Sequence, residues 1–213
     1  MVLRGFIWLL PAALAVAQDK RVQPFTEPPK IDWTTEQKSK LEKGELVFIE
    51  RQEDRPGSRY YREGSAGFRL DASFERVWKV LGDFEKYPDW AYKIASAEDY
   101  EPAQKKDGHR YLEFKAAVVG KKYYVDHDLS NQEKGWIVWQ TDHAKANDCV
   151  LDTAGVWRLE PVKNTLEKTD VFYSGKVVLN KLCAKGFLGM GGFNGQDMAK
   201  QMHQELKKRV SSK

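Results

Sequence analysis

The stretch DASFERVWKVLGDFEKYPDW, Asp71 to Trp90, decides how this chain is read. Ser73 is placed to cap a helix, and Glu75 in the first turn suits the positive end of the helix dipole. Phe74, Val77, Trp78 and Leu81 fall at i, i+3, i+4 and i+7, so they share one apolar face. Gly82-Asp83 ends that helix. Phe84 to Tyr87 make one more turn, which Pro88 is expected to stop, because the residue before a proline is pushed away from helical dihedrals.

The sequence is extended on both sides of these two short helices. Upstream, residues 45–51 and 60–70 read as strands joined by a turn over 54–59. Downstream, the strand candidates are 94–101, 109–118, 122–131, 135–142, 152–161 and 168–180. Short joints such as Lys106-Asp107-Gly108 and Glu133-Lys134-Gly135 make the neighbours antiparallel, since parallel pairs need long crossovers. A helix follows over 196–210, with Met198, Met202, Leu206 and Val210 along one face. The expected fold is α+β: a curved antiparallel sheet whose inner face only the long C-terminal helix can cover, with the helix pair closing one end.

The chain opens MVLRGFIWLLPAALAVAQD: one basic residue, an apolar run, and the small-x-small end Ala15-Val16-Ala17. This reads as a secretory signal peptide over 1–17, cleaved after Ala17, and too short for a bilayer span. Residues 18–43 form a Pro-rich arm and a short helix, which Thr34 and Gln37 cap reciprocally, and 44–213 form the main domain. A formal charge of +4, from 35 basic and 31 acidic residues, gives no argument for nucleic acid. The expected location is periplasmic or secreted. Cys149 and Cys183 are the two cysteines, and whether they pair stays open.

The pattern D-A-x-x-E-x-V-W-x-V-L-x-D-F-E-x-Y-P-x-W over 71–90 resembles the opening signature of the START-related, polyketide-cyclase-like (SRPBCC) helix-grip superfamily. GWIVWQTD at 135–142, GVWRLEP at 155–161 and TDVFYSG at 169–175 agree with it. The resemblance, to an exported bacterial member, runs from about Gly44 to the end. It implies an elongated hydrophobic cavity between sheet and C-terminal helix for a lipid, sterol, quinone or similar molecule. The glycine-rich segment Gly186–Gly195 departs from the family pattern, which leaves the cavity mouth and the ligand class open.

The candidate ligand contacts follow. Trp90 closes the signature. Phe114, Trp139, Trp157 and Tyr173 lie on strands, although alternation does not say which face is inner, and Trp136 and Trp139 cannot both point inward. His127 shares a strand face with Tyr123, Val125 and Leu129, a polar anchor if that face is inner. Arg158 lies opposite Trp157 and Leu159, and would meet an anionic head only if its own face is inner. Phe187, Met190 and Phe193 sit in the glycine-rich loop, and Met198 and Met202 on the last helix offer an adaptable wall.

Catalytic motifs are weak. Gly189-Met190-Gly191 begins like a dinucleotide fingerprint, but the third glycine falls at 195 where 194 is required. His109, His127, His143 and His203 are scattered with no metal-ligand spacing, and Asp126, His127 and Asp128 alternate faces on a strand. No cofactor, metal or catalytic residue is expected. The leading reading is a monomeric carrier or sensor of an apolar small molecule, with transient contact at a membrane surface. The alternatives are a cyclase- or hydrolase-like enzyme using His127, Tyr173 and Arg158, and a protein-interaction module with a vestigial cavity.

Overall fold

Short turns between alternating segments produce one eight-stranded antiparallel sheet. The computed structural model describes residues 22–54, 59–117, 119–180, 183–184 and 195–211; residues 1–17, read from the sequence as a leader, and the glycine-rich segment 186–194 lie outside the described residues. The strands are β1 (Val47–Asp54), β2 (Arg59–Leu70), β3 (Ile94–Asp99), β4 (His109–Ala116), β5 (Lys122–Asp128), β6 (Trp136–Thr141), β7 (Val150–Pro161) and β8 (Thr169–Asn180). Their order across the sheet is β1-β2-β8-β7-β6-β5-β4-β3.

That order explains the helix pair. The chain leaves β2, second in the sheet, and must reach β3 at the far edge. The helix α2 (Phe74–Gly82) and a 3-10 helix (Phe84–Asp89) make the crossing over the concave side. The Ser73 hydroxyl caps α2, accepting from the Arg76 amide at 3.4 Å. Val77 and Leu81 are fully buried, while Phe74 and Trp78 stack at 5.9 Å and are half-buried.

Pro88 does not stop the second helix, as the sequence suggests, but lies inside it. A short 3-10 helix loses only one amide donor to proline, and the fixed φ of the ring is compatible with its geometry. Trp90 N still donates to Tyr87 O at 3.1 Å. The Tyr87 hydroxyl ties the two helices together by donating to Leu81 O at 2.7 Å, in a buried position. Tyr87→Phe would strand that carbonyl, with an expected loss of about 1–2 kcal/mol in urea unfolding at unchanged m-value.

The C-terminal helix α3 (Gly195–Ser211) lies on the concave face. Its Met202, Leu206 and Val210 join Phe68, Leu70, Leu112, Ile137, Leu159 and Val171 from the sheet, and Val77 and Leu81 from α2, in one core. Each such side chain gives roughly 1.5–3 kcal/mol on burial. Gly135, at φ 74°, turns the chain between β5 and β6, where a Cβ would meet Leu159 O at 2.4 Å. Only glycine suits that position.

The convex face is covered too. Thr34 and Gln37 form the reciprocal cap of α1 (Thr35–Glu42), whose Leu41 packs with Trp33 and Val47. The arm before it docks on the sheet: Val22 packs with Tyr61, Ala154 and Val178, and its amide donates to Asp152 Oδ2 at 2.6 Å. Among the described residues no helix is long and apolar enough to cross a membrane.

Candidate functional site

Register places three glycines side by side on the concave face. Gly64 of β2 pairs with Gly175 of β8, and Gly175 with Gly155 of β7. The row continues through Trp139 of β6, opposite Gly155, to His127 of β5, opposite Trp139. Three missing side chains in a row leave a hollow where neighbouring rows are filled. Aromatic rings lean into it: a Cβ at Gly155 would lie 1.9 Å from Trp139 Cζ2, and one at Gly175 would lie 2.4 Å from the Tyr173 hydroxyl.

Between this hollow and α3 lies a cavity of about 210 Å³. Trp157 and Tyr173 form one wall, with ring centroids 4.9 Å apart, and Trp139 stacks on Tyr173 at 5.5 Å. Phe114 and Tyr123 meet at 5.5 Å on the other side. Tyr87 and Trp90 close the end that the 3-10 helix crosses, and Met198 and Met202 of α3 form the roof. Of the residues the sequence singles out, Trp90, Phe114, His127, Trp139, Trp157, Tyr173, Met198 and Met202 thus line one space.

Arg158 does not. Its face of β7 is the convex one, where the guanidinium sits 4.3 Å from the Phe172 ring centroid and 3.3 Å from Glu160. The reason is the strand alternation that brings Gly155, Trp157 and Leu159 inward. Phe187, Met190 and Phe193 lie outside the described residues.

His127 is the polar centre of the aromatic end. It is 5% exposed, with Phe84 at 4.5 Å, Phe114 at 5.8 Å and Trp139 at 6.3 Å between ring centroids. Burial among these rings drives its pKa down to about 3; a backbone hydrogen bond at Val125 opposes the shift, and the Arg110 charge adds to it. The ring is therefore neutral at pH 7. His127 Nδ1 and Trp90 Nε1 are both buried without a hydrogen-bond partner. Burial also pushes the Tyr173 phenol up to about 12 and raises Tyr123 further.

The structure also brings together groups that sequence reasoning passed over. Phe48, Glu50, Arg62, Tyr87, Tyr123 and Thr153 share the cavity lining. An alternation signal exists for Arg62: it has the parity of Gly64, Ala66, Phe68 and Leu70, the concave face of β2. Asp–His pairs do form elsewhere: His109 Nδ1 with Asp126 Oδ1 at 2.6 Å, on the opposite face from His127, and His143 Nε2 with Asp152 Oδ1 at 3.4 Å. Among the described residues no group of three His, Cys, Asp or Glu side chains is placed to hold a metal ion. Cys149 and Cys183 are free thiols in one side cluster with Ala116, Val150 and Leu179, and burial with the Cys183 contact pushes the Cys149 thiol up to about 12.

No protein-family model matches the sequence, and neither does any curated protein. Solved structures do match. The Zhui aromatase/cyclase of Streptomyces sp. R1128 superposes with a TM-score of 0.51 at 16% identity, over 78% of this chain and 97% of that one. A STAR-related lipid transfer protein of Xanthomonas axonopodis gives 0.52 at 13%, over 76% and 99%. A START superfamily protein of Mycobacterium smegmatis gives 0.50 at 19%, over 70% and 96%. This is a START-related helix-grip fold. Identities this low carry the fold alone. Within the helix-grip frame the cavity lies between the concave sheet and α3, with its aromatic end under the Phe84–Asp89 helix and Arg62 among its other lining residues.

Proposed function

We propose that this protein binds an apolar small molecule in the cavity and carries or senses it outside the cytoplasm. The observation that carries the reading is the pair of orphaned polar atoms, His127 Nδ1 and Trp90 Nε1, on an otherwise aromatic wall. A buried polar group without a partner costs about 1–3 kcal/mol, and native proteins seldom leave one without a use. Trp90 offers only a donor, so the fitting ligand carries a hydrogen-bond acceptor on an apolar frame. A cavity of about 210 Å³ exceeds the roughly 150 Å³ that admits a benzene ring. A ligand of one or two rings, or a short chain, matches that space.

The binding reading is favoured over an enzymatic one by the same electrostatics. A general base works best with a pKa near the operating pH, whereas His127 sits at about 3 and the Tyr173 phenol at about 12. Arg158, the third acid–base candidate, faces away. The names of the structural neighbours, a lipid transfer protein and an aromatase/cyclase, fit both classes and support a ligand-holding frame. The leader over 1–17 supports export, and with it a periplasmic or secreted site of action.

The test is mass spectrometry of an organic extract of the protein purified from its native envelope without detergent. A stoichiometric apolar molecule is the expected result. An empty extract, together with failure of neutral naphthalene probes to bind, would refute the carrier reading and favour the interaction module.

A further inference from the structure

Arg62 is the one cationic side chain on the concave face of β2, and its surroundings do not account for its charge. The residue is 6% exposed and lines the cavity. One guanidinium nitrogen, Nη1, donates to Tyr61 O at 2.8 Å, and the group lies 5.7 Å from the centroid of the Tyr60 ring. Among the described residues no ion pair includes it. A guanidinium has five N–H donors and keeps its charge, so one carbonyl leaves most of its bonding capacity open. Burying an unpaired charge is costly, and buried charges in proteins are as a rule paired.

Glu50 lines the same cavity but does not neutralise Arg62. Its carboxylate lies against Gly195, the first residue of α3, where a Cβ would come within 2.7 Å of Oε1. There the amino end of the helix dipole compensates it. Arg62 is thus left without a carboxylate partner among the described residues, while the other cations of the lining, Lys93 and Lys176, lie over the Tyr92 and Phe25 rings.

Resting on the ligand-binding reading above, we infer that the ligand is a monoanion, an apolar ring or chain bearing a carboxylate, and that Arg62 receives the carboxylate through its free N–H donors. A carboxylate matches the guanidinium fork bidentately, which a hydroxyl or ketone does not. The apolar body then lies in the cavity against Tyr173 and Trp139, the rings that cover Gly175 and Gly155. This assigns to Arg62 the role that the sequence offered to Arg158.

The experiment compares 2-naphthoate with 2-acetylnaphthalene, a neutral probe of nearly the same shape, by isothermal titration calorimetry on the mature protein stripped of ligand. Expected is at least tenfold tighter binding of 2-naphthoate, a preference that Arg62→Gln removes while leaving 2-acetylnaphthalene within twofold. Arg62→Lys should keep part of the preference, since it retains charge and loses the fork. Equal binding of both probes to the unaltered protein would overturn the anion site and leave the cavity reading standing; that ratio needs no variant to fold. Failure of both probes to bind would overturn the two together.

Discussion

Replacing Gly155 with alanine is expected to lower stability by about 3 kcal/mol, the upper end for an overpacked core, and to abolish binding of apolar probes. The added Cβ would lie 1.9 Å from Trp139 Cζ2 and 2.4 Å from Cε2 and Cη2. Those atoms are ring edges with little room to retreat: Tyr173 stacks on the indole at 5.5 Å, Trp157 lies at 6.5 Å and His127 at 6.3 Å. The ring's free direction is the cavity, so the same movement that relieves the clash occupies the binding space. A fall in Tm on the order of 6–12 °C follows for a chain of this size. Scanning calorimetry and naphthalene titration would measure both effects. Combining Gly155→Ala with Trp139→Leu should recover more than about 1 kcal/mol relative to additivity, because the two side chains contend for one slot. Unchanged stability and unchanged probe binding in the single variant would show that the glycine row does not shape the cavity.

The fold was legible because its signals are local. Caps at Thr34 and Ser73, the stripe through Val77 and Leu81, and turn residues such as Gly135 act within a few positions, and the observed elements match them to within about two or three residues. The site was legible only in part, for two physical reasons. First, both faces of this sheet are buried. The docked arm and α1 cover Tyr61, Ala154 and Phe172 on the convex side, so aromatic and small residues occur at both parities and alternation does not identify the inner one. Arg158 was therefore open to either reading. Second, the glycine row exists only in register. Gly64, Gly155 and Gly175 are far apart in sequence and become neighbours through the β2–β8 and β7–β8 pairings. The hollow cannot be read one strand at a time, and the parity that Arg62 shares with Phe68 and Leu70 places it inward only once that face of β2 is known to be the concave one. Pro88 fails for a smaller reason: the rule that stops an α-helix is weaker in a 3-10 turn that has few amide bonds to lose.

Acidification from pH 7 to 5 is expected to remove about 2 kcal/mol of stability through His127 alone. The folded-state pKa is depressed to about 3 by burial, against an ordinary value of 6.5. Between those values the unfolded chain binds a proton that the native protein does not, so stability rises with pH across the window. Above about pH 7.5 both states are neutral at this residue and the contribution is constant. Below, the loss approaches about 1.4 kcal/mol per pH unit. His203, also lowered by burial, adds to it with the same sign but from a partly buried position. Glu113 and Asp128 are held below the usual carboxylate range; their stabilisation is present above their unfolded values and is lost only as pH falls further, so pH 5 to 6.5 isolates the histidines. Urea unfolding at pH 7, 6 and 5 measures the slope, and His127→Phe, which keeps a ring in the aromatic nest, should flatten most of it while His203→Gln removes less. A His127→Phe protein with the original slope would mean that His127 is hydrated or paired in solution. The orphaned nitrogen on which the ligand-binding reading rests would then be gone as well.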